Sequence, residues 1–189
     1  MHIPDGFIDI PTSAAFAAIA AVGIAASLKG AKSSLDDKTA PLAGLTATFI
    51  FAVQMLNFPV AAGTSGHLLG AALATVLVGP YAATLALTIV LLLQALLFAD
   101  GGLSALGLSA FNMSIVAVWV SYAIFFTLKK ILPKTKSSTA AAAGIAALIS
   151  VPAAAASFVL QYAIGANATF SVSAVLAAMV GTHVLIGIG

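Results

Sequence analysis

The chain has 189 residues, 62% of them hydrophobic and only 6% charged. A mean hydropathy of +1.18 leaves too little polar surface to cover a water-soluble globule of this length, so an integral membrane protein is expected. The formal charge of +2 comes from lysines and aspartates alone, without Arg or Glu, which excludes a broad basic face for nucleic acid. The absence of cysteine excludes disulfides, zinc–thiolate sites and iron–sulfur clusters.

The first eleven residues begin Met1-His2-Ile3-Pro4-Asp5-Gly6 and hold Ile3, Phe7, Ile8 and Ile10, which suit the mouth of a helix bundle. No Lys precedes the first apolar run, so a cleavable secretory signal is not expected and the start is read as mature. Pro4 and Pro11 stiffen the segment by fixing φ. Initiator removal needs a small second residue, so Met1 ahead of His2 is expected to stay. The Met1 amine, the His2 peptide nitrogen and His2 Nδ1 can then close a five-membered and a six-membered chelate ring. One in-plane position remains for another imidazole, and a tetragonal set of nitrogens suits Ni(II) or Cu(II) rather than Mg(II) or Ca(II).

With about 20 residues taken to cross ~30 Å of hydrocarbon, helices are expected near 12–29, 41–60, 66–79, 81–99, 103–129, 138–164 and 171–189. The third is short, and Gly79-Pro80 is read as a tight reversal ahead of the fourth, because proline interrupts the helical ladder. An all-α bundle of about seven transmembrane helices in one domain, 1–189, results, with 1–11 as its metal-chelating segment. Charge supports this count. Lys29, Lys32 and Lys38 lie between segments one and two, and Lys129, Lys130, Lys134 and Lys136 between five and six. Seven crossings put both clusters on one side, which the positive-inside rule makes cytoplasmic. The N-terminus, the 61–66 break and the Asp100-Gly101-Gly102 turn then lie outside.

His67, at the start of the third segment, is the candidate for the remaining in-plane position, since ionisable residues at membrane depth are functional by default. Gly63 and Gly66 would allow close approach of an inserted N-terminus. Asn57, Thr64 and Ser65 are candidates for fixing a ring tautomer. His183, deep in the last segment, is read as a bundle-facing residue or one beside the metal rather than a ligand. Gln54, Gln94, Asn112 and Gln161 read as interhelical hydrogen-bonding groups, and Met55, Met113 and Met179 as packing. Ala14 with Ala18, Ala17 with Ala21 and Ala25, and the 141–147 stretch are small-residue faces suited to close helix packing.

Three stretches, Met1 to Phe7, Gly63-Thr64-Ser65-Gly66-His67-Leu68-Leu69-Gly70 and Gly181-Thr182-His183-Val184-Leu185-Ile186-Gly187, resemble the NikM/CbiM family along essentially the whole chain. That family comprises substrate-binding membrane subunits of energy-coupling factor importers for nickel and cobalt. The resemblance implies seven helices in the cell membrane, an outside N-terminus folded into the core, and metal ligation by Met1, His2 and His67. It also implies partners: a transmembrane coupling subunit, two ATPase subunits and often a small accessory membrane subunit. Ni(II) is the expected substrate and Co(II) the alternative. The chain itself has no G-x-x-x-x-G-K-[ST] phosphate loop, so energy must come from partners, and no enzyme activity is expected.

Two rivals remain. Gly63-Thr64-Ser65-Gly66 matches the G-x-S-G pattern of rhomboid intramembrane proteases, with Ser65 as nucleophile and His183 as base. That reading leaves His2 and His67 unexplained. A binding subunit for an organic vitamin would be expected to show more aromatic side chains than one Trp and three Tyr supply.

Overall fold

The computed structural model describes residues 1–60 and 64–189; Gly63, expected to allow close approach, lies outside the described residues, as does the side chain of Thr64. Helix α1 (Ile10–Ser34) starts where the Asp9 carboxylate accepts the Thr12 N–H at 2.8 Å, with Pro11 in the first turn. Helix α2 (Thr39–Gln54) follows Asp36, whose carboxylate accepts the N–H groups of Lys38 and Thr39.

The expected second helix does not continue to residue 60. Strands β1 (Phe58–Val60) and β2 (Thr64–Gly66) pair antiparallel instead, Phe58 opposite Gly66. Pro59 explains the difference: it offers no N–H to a helix and drives Phe58 into extended backbone. His67 therefore follows a strand, ahead of helix α3 (Ala71–Phe98), rather than opening a helix.

Helix α4 (Leu106–Ile131) holds a π-helical stretch at Phe111–Val116. Helix α5 (Lys136–Gly165) is capped by Thr135, and α6 (Val172–Ile188) by Ser171, each hydroxyl accepting a first-turn N–H. The helices α1, α3, α4 and α5 have 25, 28, 26 and 30 residues and are long and apolar enough to cross a membrane. The 16 residues of α2 and 17 of α6 are apolar but shorter.

Within α3 the helix breaks at Gly79, where φ 77° and ψ 167° are open to glycine and costly for other residues, and Pro80 follows. The surroundings show what the break does. A straight helix from Ala71 to Gln94 would part its ends by roughly 35 Å at 1.5 Å per residue. Yet the His67 ring lies 4.7 Å from that of His2, and His2 Nε2 lies 3.0 Å from Gln94 Oε1. The chain therefore turns back at Gly79-Pro80.

The far end of the bundle is marked by aromatic rings and lysines. Gly30, beside Lys29 and Lys32, leaves room for the Tyr81 ring, which meets Trp119; Trp119 meets Tyr122, and Lys129 lies further along the same helix. Both lysine clusters thus lie away from His2. Interfacial tyrosine and tryptophan beside lysine are the expected furniture of a membrane boundary.

The N-terminal segment runs into the opposite end, where Met1, Ile3 and Ile8 are buried. Its backbone is paired rather than loose: Gly102 N–H donates to Ile3 O at 2.8 Å, Asp9 N–H to Gly165 O at 2.7 Å and Asn167 N–H to Phe7 O at 3.1 Å. The Asp5 carboxylate accepts both the N–H and the hydroxyl of Ser104. Phe7 packs on Phe158 and Tyr162. A Cβ on Gly102 would collide with the Asp5 backbone nitrogen and carboxylate, whereas one on Gly144 would meet nothing within 4 Å. Gly102→Ala should accordingly lower the unfolding temperature in detergent and open the N-terminus to aminopeptidase; Gly144→Ala should do neither. Equal behaviour of the two variants would show that the segment is not seated against this turn.

Candidate metal centre

Among the described residues, no group of three His, Cys, Asp or Glu side chains is arranged to hold a metal ion. Main-chain nitrogen therefore enters the search for a candidate centre, and the buried N-terminus offers it. The Met1 amine is buried and in hydrogen-bonding contact with His67 Nε2. The His2 peptide nitrogen follows in covalent sequence, and the His2 ring lies against that of His67, centroids 4.7 Å apart and planes tilted by 35°. The structure places Met1, His2 and His67 side by side, three nitrogen-bearing groups that approach from two parts of the chain.

Each ring is held in a tautomer that suits ligation. His67 Nδ1–H donates to the Leu68 carbonyl at 3.0 Å, which leaves Nε2 with its lone pair toward the Met1 amine. The orienting group is a neighbouring carbonyl, not Asn57, Thr64 or Ser65. His2 Nε2–H donates to Gln94 Oε1 at 3.0 Å, and His2 Nδ1 is left as the acceptor nitrogen. That nitrogen is buried and, among the described residues, makes no hydrogen bond; Asp100 Oδ1 lies 3.3 Å away.

The remaining candidates separate. Asn57 acts at one remove, its amide donating to Asp100 Oδ2 at 3.2 Å. Ser65 lines an open cleft of about 510 Å³ together with His2, Asp5, Asn57 and Asp100, and its hydroxyl has no hydrogen-bond partner among the described residues. His183 is fully buried, with Nδ1–H donating to Met179 O at 2.7 Å and Nε2 without a hydrogen bond. Since Ser65 Oγ and His183 Nε2 are both unbonded, the serine–histidine dyad of the protease reading is not formed. Gln94 and Asp100 are the two contributors that sequence reasoning missed; the signal for Asp100 was a lone carboxylate at a Gly-Gly turn on the same side as His2.

Burial sets the protonation of these nitrogens. It pushes the Met1 amine well below its ordinary value, the nearby Asp100 carboxylate opposing. Burial is also the largest cause lowering His2 and His67, with the charge of the Met1 amine second for both. Three basic nitrogens are thus kept neutral, the form a metal requires.

Comparison with known proteins follows the same line. The family model described as the cobalt uptake substrate-specific transmembrane region, CbiM, matches residues 2–189. A putative metal transport protein of Haloquadratum walsbyi is 39% identical over 190 residues, covering 100% of this chain and 84% of that protein. A putative fused nickel transport protein, NikMN, of Archaeoglobus fulgidus is 37% identical over 188 residues, covering 100% of this chain but 61% of its own length. The crystal structure of a truncated transition metal transporter superposes with a TM-score of 0.89 at 31% identity, covering 100% of this chain and 92% of that one.

The neutral nitrogens make stability depend on pH. Unfolded, an amine titrates near 7.7–8.0 and an imidazole near 6.5. Both bind protons more weakly when folded, so the unfolded state takes up more protons as the medium is acidified. Their contribution is full above about pH 8 and is lost progressively as pH falls toward the lowered folded values. Thermal unfolding of the metal-free protein in detergent, scanned from about pH 8.5 down to 5, should show a falling midpoint, and His67→Leu should flatten the fall. A flat wild-type profile would mean that these groups are not buried neutral.

Proposed function

The chain belongs to the CbiM family of substrate-specific transmembrane regions, a multi-pass membrane component of metal transport and not an enzyme, and on that premise we propose that it captures Ni(II), with Co(II) as the alternative, from outside the cell. The Met1 amine, the His2 peptide nitrogen, His2 Nδ1 and His67 Nε2 form the square around the cation. The observation that carries this reading is the buried Met1 amine facing His67 Nε2 with the His2 ring beside both. Nitrogen donors in a tetragonal set favour late divalent metals, and the relatives are named for nickel and cobalt transport.

The chain is read as crossing the membrane seven times, the two arms of α3 counting separately on either side of Gly79-Pro80. The lysine-bearing end faces the cytoplasm and the His2 end the outside. No phosphate-binding loop exists in the sequence, so the uphill step is assigned to a transmembrane coupling subunit and two ATPase subunits, with a small accessory membrane subunit as a further partner. Binding displaces protons: the His2 peptide N–H must be lost for that nitrogen to ligate.

A residue or tag placed directly before Met1 turns its amine into an amide and should abolish tight nickel binding in calorimetry, while a C-terminal tag should not. His2→Ala and His67→Ala should each lose tight binding. Gln94→Leu should lose less, in the range of about 10–100-fold typical of groups that orient a ligand rather than provide one, and His183→Ala, at a residue that holds no proposed ligand, should also lose less than His2→Ala or His67→Ala. Nickel affinity unchanged by an N-terminal extension, or by His67→Ala in a folded protein, would remove the proposed square.

A further inference from the structure

The cleft leading to His2 has one wall group whose position the four-nitrogen square does not use. Asp100 Oδ1 lies 3.3 Å from His2 Nδ1, the buried nitrogen that makes no hydrogen bond. Its other oxygen, Oδ2, is held by the Asn57 amide at 3.2 Å, so the carboxylate is turned with one oxygen toward the ring and the other tied back. Backbone geometry presents it there: Ala99, immediately before it, adopts φ 51°, rare for a residue with a Cβ, and Gly101 after it has φ 93°. Asp100 shows 14% of its side-chain surface, whereas His2 shows 4% and His67 is fully buried. A cation arriving through the cleft therefore reaches the carboxylate before it can reach the nitrogens.

The geometry points to Asp100 as a capture ligand: it binds the incoming hydrated divalent cation at the cleft wall and hands it to His2 Nδ1, with Asn57 fixing the carboxylate for that transfer. This inference rests on the functional reading above. A hydrated dication is a hard ion that carboxylate oxygen holds readily, while nitrogen donors favour the dehydrated late metal, so the two groups suit successive stages of one path. The first exchange replaces a water by a carboxylate oxygen; the second replaces that oxygen and further waters by nitrogens, the waters and the His2 peptide proton leaving through the cleft to solvent. The other carboxylate of the cleft, Asp5, has its charge committed to Ser104, whose N–H and hydroxyl both donate to Oδ1. It is therefore not the group that turns toward the ring.

A capture role affects how fast nickel arrives more than how tightly it is finally held. The test is stopped-flow absorption of the full-length protein in detergent mixed with Ni(II), following the band of the nickel–nitrogen centre, with dissociation measured separately by chelator competition. Asp100→Asn should slow association about tenfold or more at low ionic strength, slow dissociation by a similar factor so that the final affinity stays close to wild type, leave the final spectrum unchanged, and weaken the salt dependence of the association rate. Asp100→Glu should restore much of the rate. An Asp100→Asn protein that loads as fast as wild type overturns the inference, as does one that loads normally but releases faster. An altered final spectrum would also overturn it, because Asp100 would then support the bound square. Wild-type protein that gives no nickel–nitrogen band would instead remove the functional reading beneath it.

Discussion

A charged amine cannot be buried in an apolar bundle without a large desolvation cost, and the architecture at this end of the molecule follows from that constraint. The Met1 amine lies inside the bundle as a neutral base against His67 Nε2, with Asp100 the nearest compensating charge. Neutral, desolvated and facing an imidazole, it would meet a metal already stripped of its competing proton. The same burial would be a defect in a protein with no use for the nitrogen. In the proposed site it makes the start of the chain a donor that, among the described residues, no cluster of three acidic, His or Cys side chains replaces.

Holding the terminus in place requires backbone from four parts of the sequence. The Gly101-Gly102 turn gives room for His2 and Asp5, and the segment around Gly165 to Asn167 pairs with Phe7 and Asp9. The β1–β2 hairpin delivers His67, and the Gln54 amide fastens the segment after it by donating to the Leu69 carbonyl. The reversal at Gly79-Pro80 brings Gln94 back to the His2 ring from a helix that began only four residues after His67. Without that reversal, His67 and Gln94 could not both reach one imidazole. The candidate site thus depends on a backbone break in an apolar segment, where a straight helix would have been the simpler way to satisfy hydrogen bonds.

Much of this was legible in the residues. Apolar run length located the helical segments, and Gly79-Pro80 announced a break because proline removes a donor and glycine permits φ above zero. Met1 and His2 can be joined because chelate geometry is set by covalent spacing, and His67 joins them through the lysine pattern, which puts it on the same side of the membrane as His2. Hydropathy alone makes 55–60 look helical because it does not distinguish an apolar strand from an apolar helix, and Pro59 is the residue that decides against helix there. Gln94 looked like any polar residue on a membrane helix. Nothing in its local sequence says that its face meets residue 2, 92 positions away. Asp100 was seen only as part of a turn, since its role depends on which nitrogen the turn faces.

The central claim is that a nickel ion sits in a plane of four nitrogens, one of them the amine of the chain itself. X-ray absorption at the nickel edge, on protein loaded through its native N-terminus and purified in detergent, reads coordination number and geometry together. The account predicts a four-coordinate planar centre with nitrogen scatterers and no octahedral component. A six-coordinate centre, or one dominated by carboxylate and water oxygen, would contradict it.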